Sequence, residues 1–276
     1  MQADQLSYVI VTPYSMRKSR TGGIVSRLIS RTGLDLVGGR MFAPSEQLVR
    51  RYTERIVTSK DPRHRATQEL LRDYVQKNFT GERQGHSPRA LLLVFRGPDA
   101  IEKIRHVVGH IVHERTSGET IRDTYGDYIN ESGKVTYFEP AVIASLDEES
   151  VEENLKLWSE FSDRDGGILD DVITYPADAK VEKSLVLIKP DNFKFPNIRP
   201  GGVIEVFSRT GLYIIGFKVH RMSVGQAEEF YGPVLHVLED KLGASKGREA
   251  WEDIVEFMSG GRPSAIPDGQ RLAPGT

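Results

Sequence analysis

The chain has 276 residues, no cysteine and a formal net charge of −2, with 38% hydrophobic and 28% charged residues. This composition is typical of a soluble globular protein of up to two domains, and the small net charge provides no general attraction to nucleic acid or acidic membranes. The lack of cysteine excludes disulfides, zinc–thiolate sites and thiol catalysis. Neither a membrane-spanning apolar run nor a signal-peptide pattern is present, so we expect a cytoplasmic protein with no membrane partner.

Hydrophobic periodicity in the first half predicts strands that alternate with helices. Strands are predicted at 7–12, 34–42, 90–95 and 141–145, and helices at 24–29, 44–56, 66–78, 99–108 and 146–161. The polar segments 16–20 and 110–129 are predicted to be irregular. This order predicts an α+β fold for residues 1–161, a ferredoxin-like βαββαβ sandwich with extra helices inserted, in which helices pack on one face of an antiparallel sheet.

After an aspartate-rich segment at 162–183, which we interpret as a linker, the chain begins to repeat itself. Residues 7–13 parallel residues 184–190, and Gly22-Gly23 parallels Gly201-Gly202. The sequence Ser-Arg-Thr-Gly-Leu occurs at both 30–34 and 208–212. Matches in the same order and at nearly constant spacing predict a domain duplication.

The second copy, residues 184–276, is predicted to be the N-terminal part of a second domain. It offers strands at 185–188 and 212–219 and helices at 202–209, 225–242 and 248–258, but no counterparts of strands 90–95 and 141–145. Half a sheet buries too little apolar surface to offset the entropy of ordering its chain. Either the chain is a piece of a longer protein, or this half leans on the first domain or on another chain.

Lys189 lies at the end of the first predicted strand of this copy, because Pro190 cannot continue a central strand. A lysine in this place can contact a phosphate, although this stretch alone favours a solvated strand-terminal lysine.

Several motifs resemble those of the nucleoside diphosphate kinase family. They are Lys189-Pro-Asp, Arg209-Thr-Gly-Leu, Phe230-Tyr231 and the helix around Trp251 in the second copy, and Gly97-Pro-Asp, Thr120-Ile-Arg and Ala141-Val-Ile-Ala-Ser in the first. The resemblance implies a homo-oligomer that transfers the γ-phosphate of a nucleoside triphosphate to a nucleoside diphosphate through a phosphohistidine. It also implies these nucleotides as partners and Mg²⁺ as the cation that accompanies them.

Five residues match nucleotide-binding positions of the family. The resemblance assigns Lys189, Arg105 and Arg122 to phosphate contacts, Tyr231 to support of the lysine and histidine region, and Trp251 to stacking on the base. Two alternatives stay open. The arginines are equally explained as solvated loop residues, and Trp251 as a core aromatic residue of an amphipathic helix.

The first copy departs from the family where the chemistry takes place. The catalytic histidine aligns with Ile143, the lysine with Thr12, its acidic neighbour with Tyr14, an asparagine with Pro140 and the histidine-orienting glutamate with Asn154. Isoleucine has no nucleophilic atom, so no catalytic residue and no phosphohistidine are expected in this copy. The second copy lacks the strand that would carry the histidine.

Three histidines, at 106, 110 and 113, have a spacing that suggests a metal site. The resemblance places them away from the last core strand, and no carboxylate is spaced as in zinc hydrolases. No metal site is therefore predicted.

Three functions remain open. The first is a tandem nucleoside diphosphate kinase whose second domain is catalytic in a longer protein, with a histidine beyond residue 276. The second is a non-catalytic nucleotide-binding or oligomerisation module. The third is nucleic-acid binding by the basic segment 50–89, which a solvated helical face explains more simply, so nucleic acid is not expected as a partner. We expect weak nucleotide binding at most, since neither copy has a full set of phosphate contacts.

Overall fold

The structure, a computed structural model, describes residues 3–58, 65–82, 85–111, 118–145, 147–170 and 172–271. The chain divides into a first unit, Met1–Val186 with Phe195–Val219, and a second unit, Leu187–Lys194 with His220–Thr276. In the described part of the chain, none of the helices is long and apolar enough to cross a membrane.

Antiparallel strands form the centre of the first unit. The strands are β1 Gln5–Val11, β2 Asp35–Phe42, β3 Ala90–Gly97, β4 Asp127–Glu131, β5 Lys134–Glu139 and β6 Val142–Ala144. Four of them form one sheet in the order β2-β3-β1-β6, in which every neighbouring pair is antiparallel, and β4 pairs with β5 in a separate hairpin. The predicted ferredoxin-like antiparallel sheet is confirmed.

Helices surround the sheet. Those of the first unit are α1 Pro13–Arg17, α2 Thr21–Thr32, α3 Glu46–Thr53, α4 Arg65–Asn78, α5 Ala100–Val108, α6 Ile121–Tyr125, α7 Glu148–Glu160, α8 Ser162–Asp165 and α9 Arg199–Ser208. The second unit contains α10 Val224–Leu242 and α11 Ala244–Ser259. Helices α2 and α5 connect the core strands, and the others are additions to this core.

Both faces of the sheet are buried, because alternate side chains of a strand point to opposite sides. Tyr8 and Ile10 of β1 join a core with α3, α4 and α7, in which Trp158 packs edge-on against Phe42 at 4.8 Å between ring centres. Val9 and Val11 are also fully buried. Helix α5 contacts β1, β3 and β6, and α2 packs beside α5. The two connecting helices thus lie together as predicted, and the inserted helices cover the other face.

Two segments predicted to be irregular contain regular structure. Residues 13–17 form α1, which begins because Thr12 caps it and Pro13 has the backbone angle of a first helical residue. Helix α6 begins with a capping box between Thr120 and Asp123. The β4–β5 hairpin turns at Ser132 and Gly133, both with positive φ, as a two-residue hairpin turn requires.

The two strands predicted in the second copy do not form, and these predictions were wrong. Residues 185–188 have no regular secondary structure and no strand pairing, and Leu185 is 76% exposed. Residues 212–219 contribute one isolated bridge, between Lys218 and Arg40. The sheet order explains this result. On the predicted repeat, residues 185–188 and 212–219 correspond to β1 and β2, which are not neighbours in the sheet. The described residues from 220 to 271 contain no strands in the places of β3 and β6, with which they would pair.

The three helices predicted at 202–209, 225–242 and 248–258 are confirmed as α9, α10 and α11. Helix α9 packs against α2 in the first unit, so part of the second half leans on the first. The segment interpreted as a linker also has contacts in the first unit. The Asp165 carboxylate accepts hydrogen bonds from Ser45 N at 2.9 Å and from Ser45 Oγ at 2.6 Å. The domain boundaries at 161 and 184 stay a prediction.

Candidate functional site

Ile143, which the resemblance aligns with the family's catalytic histidine, lies inside the sheet. Ile143 is the central residue of β6 and pairs with Ile10 of β1. It is 2% exposed and belongs to the same apolar core as Trp158. A side chain at this position therefore contacts the protein interior, and isoleucine contributes only apolar surface there.

Thr12, which the resemblance aligns with the family's lysine, is fully buried and stabilises the backbone next to β6. Its Oγ1 donates to the Ala141 carbonyl at 3.0 Å, and its backbone N–H donates to the same oxygen at 3.1 Å. Ser15 Oγ adds a third donor at 2.9 Å. Thr12 Oγ1 also accepts from Ser15 N at the start of α1. Thr12 thus joins α1 to the loop before β6.

A buried polar cluster joins side chains of β1, α3 and α7. The hydroxyls of Tyr8 and Tyr52 are 3.4 Å apart, and Asn154, which aligns with the histidine-orienting glutamate, is 6% exposed on α7. Burial raises the pKa of both tyrosines, and the side chains of Ser145, Tyr52 and Asn154 oppose part of the shift at Tyr8. The interacting groups of this cluster are neutral hydroxyls and an amide.

Arg122 is directed at the backbone. Its Nη2 donates to the Val142 carbonyl at 3.2 Å and its Nη1 donates to the Gly109 carbonyl. Within the described residues its Nε is buried and has no hydrogen-bond partner, and burial lowers the pKa of the guanidinium to about 10. Arg122 therefore joins the end of α5 to β6.

The two matched arginines line different cavities. Arg122 borders a cavity of about 70 Å³ together with Asp127 and Glu139, which is well below the roughly 300–1,000 Å³ of ligand pockets. Arg105 is exposed in the last turn of α5 and borders an open depression of about 350 Å³ whose other charged residues are Asp99, Glu102 and Glu148. Carboxylates outnumber the arginine in both, so neither cavity favours a polyphosphate.

A group of cations around Tyr14 was not predicted. The charged ends of Arg17, Lys18 and Arg20 lie 5.1 to 5.9 Å from the centre of the Tyr14 ring. Arg20 is also 3.7 Å from a carboxylate oxygen of Asp127. The run of basic residues after the first strand was visible in the sequence, but its contact with an aromatic ring depended on the formation of α1.

Glu139 lies at the end of β5 and accepts a hydrogen bond from the Tyr74 hydroxyl at 2.5 Å. Burial raises the pKa of Glu139, and this hydrogen bond together with Arg17 and Arg20 opposes part of the shift. The pKa of Tyr74 is also raised, by burial and by the Glu139 charge. Glu139 thus places a partly buried carboxylate in the cavity that Arg122 borders.

In the second unit, Tyr231 and Trp251 are brought together by a hydrogen bond from Trp251 Nε1 to the Tyr231 carbonyl at 2.9 Å. Trp251 is 6% exposed and packs with Val224, Val255 and others in an apolar cluster. The Arg248 guanidinium lies 5.8 Å from its ring centre. This burial favours the core interpretation over base stacking, for which the indole would need a free face.

Lys189 is exposed at the N-terminus of a short 3₁₀ helix, Pro190–Phe193. It therefore follows a largely exposed segment without regular secondary structure, and not the buried strand end from which the phosphate contact was predicted. Its role in phosphate binding stays a prediction.

The described histidines are dispersed. His86 packs against the Tyr213 ring, His220 Nε2 is 3.1 Å from Gln226 Oε1, and His236 is 3.8 Å from Glu239. His106 and His110 are exposed at and after the end of α5. The third member of the predicted triple, at 113, lies outside the described residues. Among the described residues, no three His, Asp or Glu side chains form a group that could hold a metal ion.

Comparison with known proteins agrees with the topology. A model of the family "Nucleoside diphosphate kinase" matches residues 5–163, more than half of the chain. The chain belongs to the nucleoside diphosphate kinase family.

Similarity to individual members of the nucleoside diphosphate kinase family is moderate. The nucleoside diphosphate kinase of Chlamydia trachomatis serovar L2 is 35% identical over 81 residues, which are 29% of this chain and 48% of that protein. That of Methanococcus maripaludis is 29% identical over 86 residues, 31% of this chain and 55% of that protein. The chain therefore spans about half the length of the curated relatives it matches.

Solved nucleoside diphosphate kinases are similar at lower identity. The enzyme of Aquifex aeolicus has 22% identity and a TM-score of 0.40, covering 56% of this chain and 94% of that chain. The enzyme of Borrelia burgdorferi, solved with bound vanadate and ADP, has 21% identity and a TM-score of 0.40, covering 63% and 94%.

Proposed function

We propose that this chain is a non-catalytic member of the nucleoside diphosphate kinase family. The burial of Ile143 is the observation that carries this proposal. In the family reaction a histidine nitrogen attacks the γ-phosphorus, the bond to the leaving nucleoside diphosphate breaks, and a second nucleoside diphosphate then takes the phosphoryl group. Isoleucine has no lone pair for the first step, and at 2% exposure it offers no surface to a nucleotide.

The neighbouring positions support the same proposal. Thr12 and Arg122 both bond to backbone carbonyls near β6, so that groups aligned with phosphate ligands serve the fold. Asn154 replaces a carboxylate and lies in a buried cluster with Tyr8. These replacements form one consistent set in which polar side chains join β1, α7 and β6 and do not line an open phosphate site.

Nucleotide binding without transfer is the remaining possibility for the predicted partners. In the family, Mg²⁺ accompanies the nucleotide as part of the substrate complex, so it needs no ligand cluster in the protein. We propose weak binding at most, because the matched arginines border separate cavities in which carboxylates predominate. Nucleic-acid binding is not favoured, since Arg51, Arg65 and Arg72 in the basic segment each form an ion pair with a carboxylate.

The test is incubation of the full chain with Mg²⁺ and γ-labelled ATP, followed by separate acid and base treatment, with a catalytically active nucleoside diphosphate kinase as positive control. We expect no acid-labile, base-stable label on this chain and no label transferred to added nucleoside diphosphate. A phosphohistidine on this chain, located by mass spectrometry, would refute the proposal. Thermal shift with Mg²⁺–ATP and Mg²⁺–ADP then measures binding separately from transfer.

A further inference from the structure

The β4–β5 hairpin, residues 127–139, lies outside the main sheet. Within the described residues its two strands pair only with each other, and most of their residues are exposed. Both of its ends are held. The N–H of Gly126 donates to the Arg122 carbonyl at 2.8 Å, and the Ala141 carbonyl after β5 accepts three hydrogen bonds from the N-terminal end of α1. A fixed base with an exposed hairpin is the geometry of a segment that turns about its two ends.

The base of the hairpin covers Arg122. Gly126 and residues of β4 and β5 form most of the wall of the cavity of about 70 Å³ that Arg122 borders. Two nitrogens of this guanidinium donate to backbone carbonyls, and among the described residues the third, Nε, is buried without a partner. Movement of the hairpin away from its base therefore exposes the Arg122 side chain to solvent.

Contacts with a single side chain of α4 hold the hairpin against the first unit. The Phe138 ring lies edge-on to the Tyr74 ring, with 5.7 Å between the ring centres. The Tyr74 hydroxyl also donates a hydrogen bond of 2.5 Å to the Glu139 carboxyl at the end of β5. The closed position thus depends on an aromatic contact and on one hydrogen bond to a titratable group.

A pair of carboxyl groups lies at the base of the hairpin. Asp127 and Glu139 are directly opposite each other in the β4–β5 pairing, where like charges are unfavourable. Burial raises the pKa of Glu139 and the Asp127 charge adds to the shift, whereas the hydrogen bond from Tyr74 opposes it. The positive charges of Arg17 and Arg20 also oppose it. The other ionisable groups at the base are Arg122 and Asp123 of α6 and the hydroxyls of Tyr14 and Tyr137.

We propose that the β4–β5 hairpin is a pH-sensitive lid over Arg122, which is closed while Glu139 is protonated and opens when Glu139 ionises. In the open position the carboxyl group is in water and has its usual pKa of 4.5. The closed position is therefore fully favoured below this pH and is weakened as pH rises through the higher pKa of the closed form, by about tenfold for each unit between the two values. The proposal does not depend on nucleotide binding or on the proposed lack of catalysis.

Hydrogen exchange of the full chain, measured by mass spectrometry, tests the opening. Protection is corrected for the intrinsic exchange rate at each pH and compared from about pH 5 to about pH 8, with peptides of β3 as internal reference. In the parent we expect the protection of the hairpin to fall as pH rises, while that of β3 does not. Glu139→Gln should keep its protection over the whole range. Glu131→Gln, a matched change at an exposed position of the same hairpin, should behave as the parent.

Chemical modification tests what the lid covers. Phenylglyoxal reacts with accessible guanidinium groups, and mass spectrometry locates the modified residue. At a pH at which the hairpin of the parent has lost protection, we expect Arg122 to react faster in the parent than in Glu139→Gln. Arg105, which is exposed in the last turn of α5, should react equally in both proteins.

Several results would overturn the proposal. Protection that is independent of pH in the parent, or that falls equally in Glu139→Gln, would mean that Glu139 does not control the hairpin. Loss of the pH dependence in Glu131→Gln as well would assign it to the overall charge of the hairpin. Equal modification of Arg122 in the parent and in Glu139→Gln would mean that the hairpin does not cover it. If Glu139→Gln does not fold, as judged by circular dichroism, an NMR titration of the parent decides, since a Glu139 pKa at or below 4.5 contradicts the proposal.

Discussion

The packing of α9 on α2 makes a quantitative prediction about two adjacent glycines. Gly201→Ala and Gly202→Ala each gain about 0.5–1 kcal/mol of helix propensity, so that this gain cancels when the two are compared. At Gly201 the new Cβ overlaps backbone atoms of Gly22 and Ser26, which cannot rotate away. At Gly202 no atom lies within 4 Å. The difference between the variants is therefore the cost of overpacking, about 1–3 kcal/mol.

The assay is thermal unfolding of the parent and both variants at one protein concentration. We expect Gly202→Ala to melt at or above the parent temperature and Gly201→Ala to melt below Gly202→Ala by at least about 2 °C, since 1 kcal/mol moves Tm by about 2–4 °C in a domain of this size. Gly22→Ala, at the corresponding position of α2, should behave as Gly201→Ala. Equal melting temperatures for the Gly201 and Gly202 variants would refute the close contact between the helices.

Three further predictions concern the candidate site. Burial raises the pKa of Glu139 above its usual 4.5. The stability that this group contributes is therefore present below pH 4.5 and is lost as pH rises through the folded-state pKa. Compared with the parent, Glu139→Gln should gain stability as pH rises from about 4 to 8, measured by urea unfolding. Ile143→His should lose about 1–3 kcal/mol or more, because it buries an unpaired polar group, and should still take no phosphate from labelled ATP. Trp251→Phe should lower the free energy of unfolding by about 1 kcal/mol, because it removes the hydrogen bond to Tyr231. Trp251→Ala should lower it by about 3–5 kcal/mol. Neither variant should change any nucleotide-induced thermal shift.

Each of these has a contrary outcome. A pH-independent difference between Glu139→Gln and the parent would mean that the carboxyl titrates as in the unfolded chain. A phosphorylated Ile143→His variant would mean that position 143 is accessible to nucleotide. A Trp251→Phe variant that abolishes a nucleotide-induced shift while keeping the parent's stability would restore the stacking interpretation.

Much of the first unit was predictable because its signals are local. The β-branched and aromatic run in β1 and the helical spacing of Ile24, Val25 and Leu28 in α2 each identify their element without reference to the rest of the chain. Helix α1 was missed because its sequence is basic and polar, and its capping by Thr12 involves a hydroxyl that also bonds to the distant Ala141. The β4–β5 hairpin was missed although its Ser-Gly turn was readable.

The candidate site was predictable in its chemistry but not in its geometry. That Ile143 cannot accept a phosphate follows from the atoms of isoleucine alone. The different surroundings of Arg105 and Arg122 follow from the arrangement of α5, α6 and the hairpin, since each guanidinium lies among groups that are far from it in the sequence. Likewise, the burial of Trp251 depends on the packing of α10 against α11.

The sequence by itself indicated the family and the positions of most helices, because these depend on residue identity and on periodicity along one element. Only the tertiary structure decided what became of residues 185–188 and 212–219. Their composition favours strands, but a strand needs a neighbour for its backbone hydrogen bonds, and the neighbours of β1 and β2 in the first unit are β3 and β6. The described residues from 220 to 271 contain no strands in the places of β3 and β6, so residues 185–188 and 212–219 form no sheet. Instead, α9 packs against α2, and Lys218 forms an isolated bridge with Arg40 of β2.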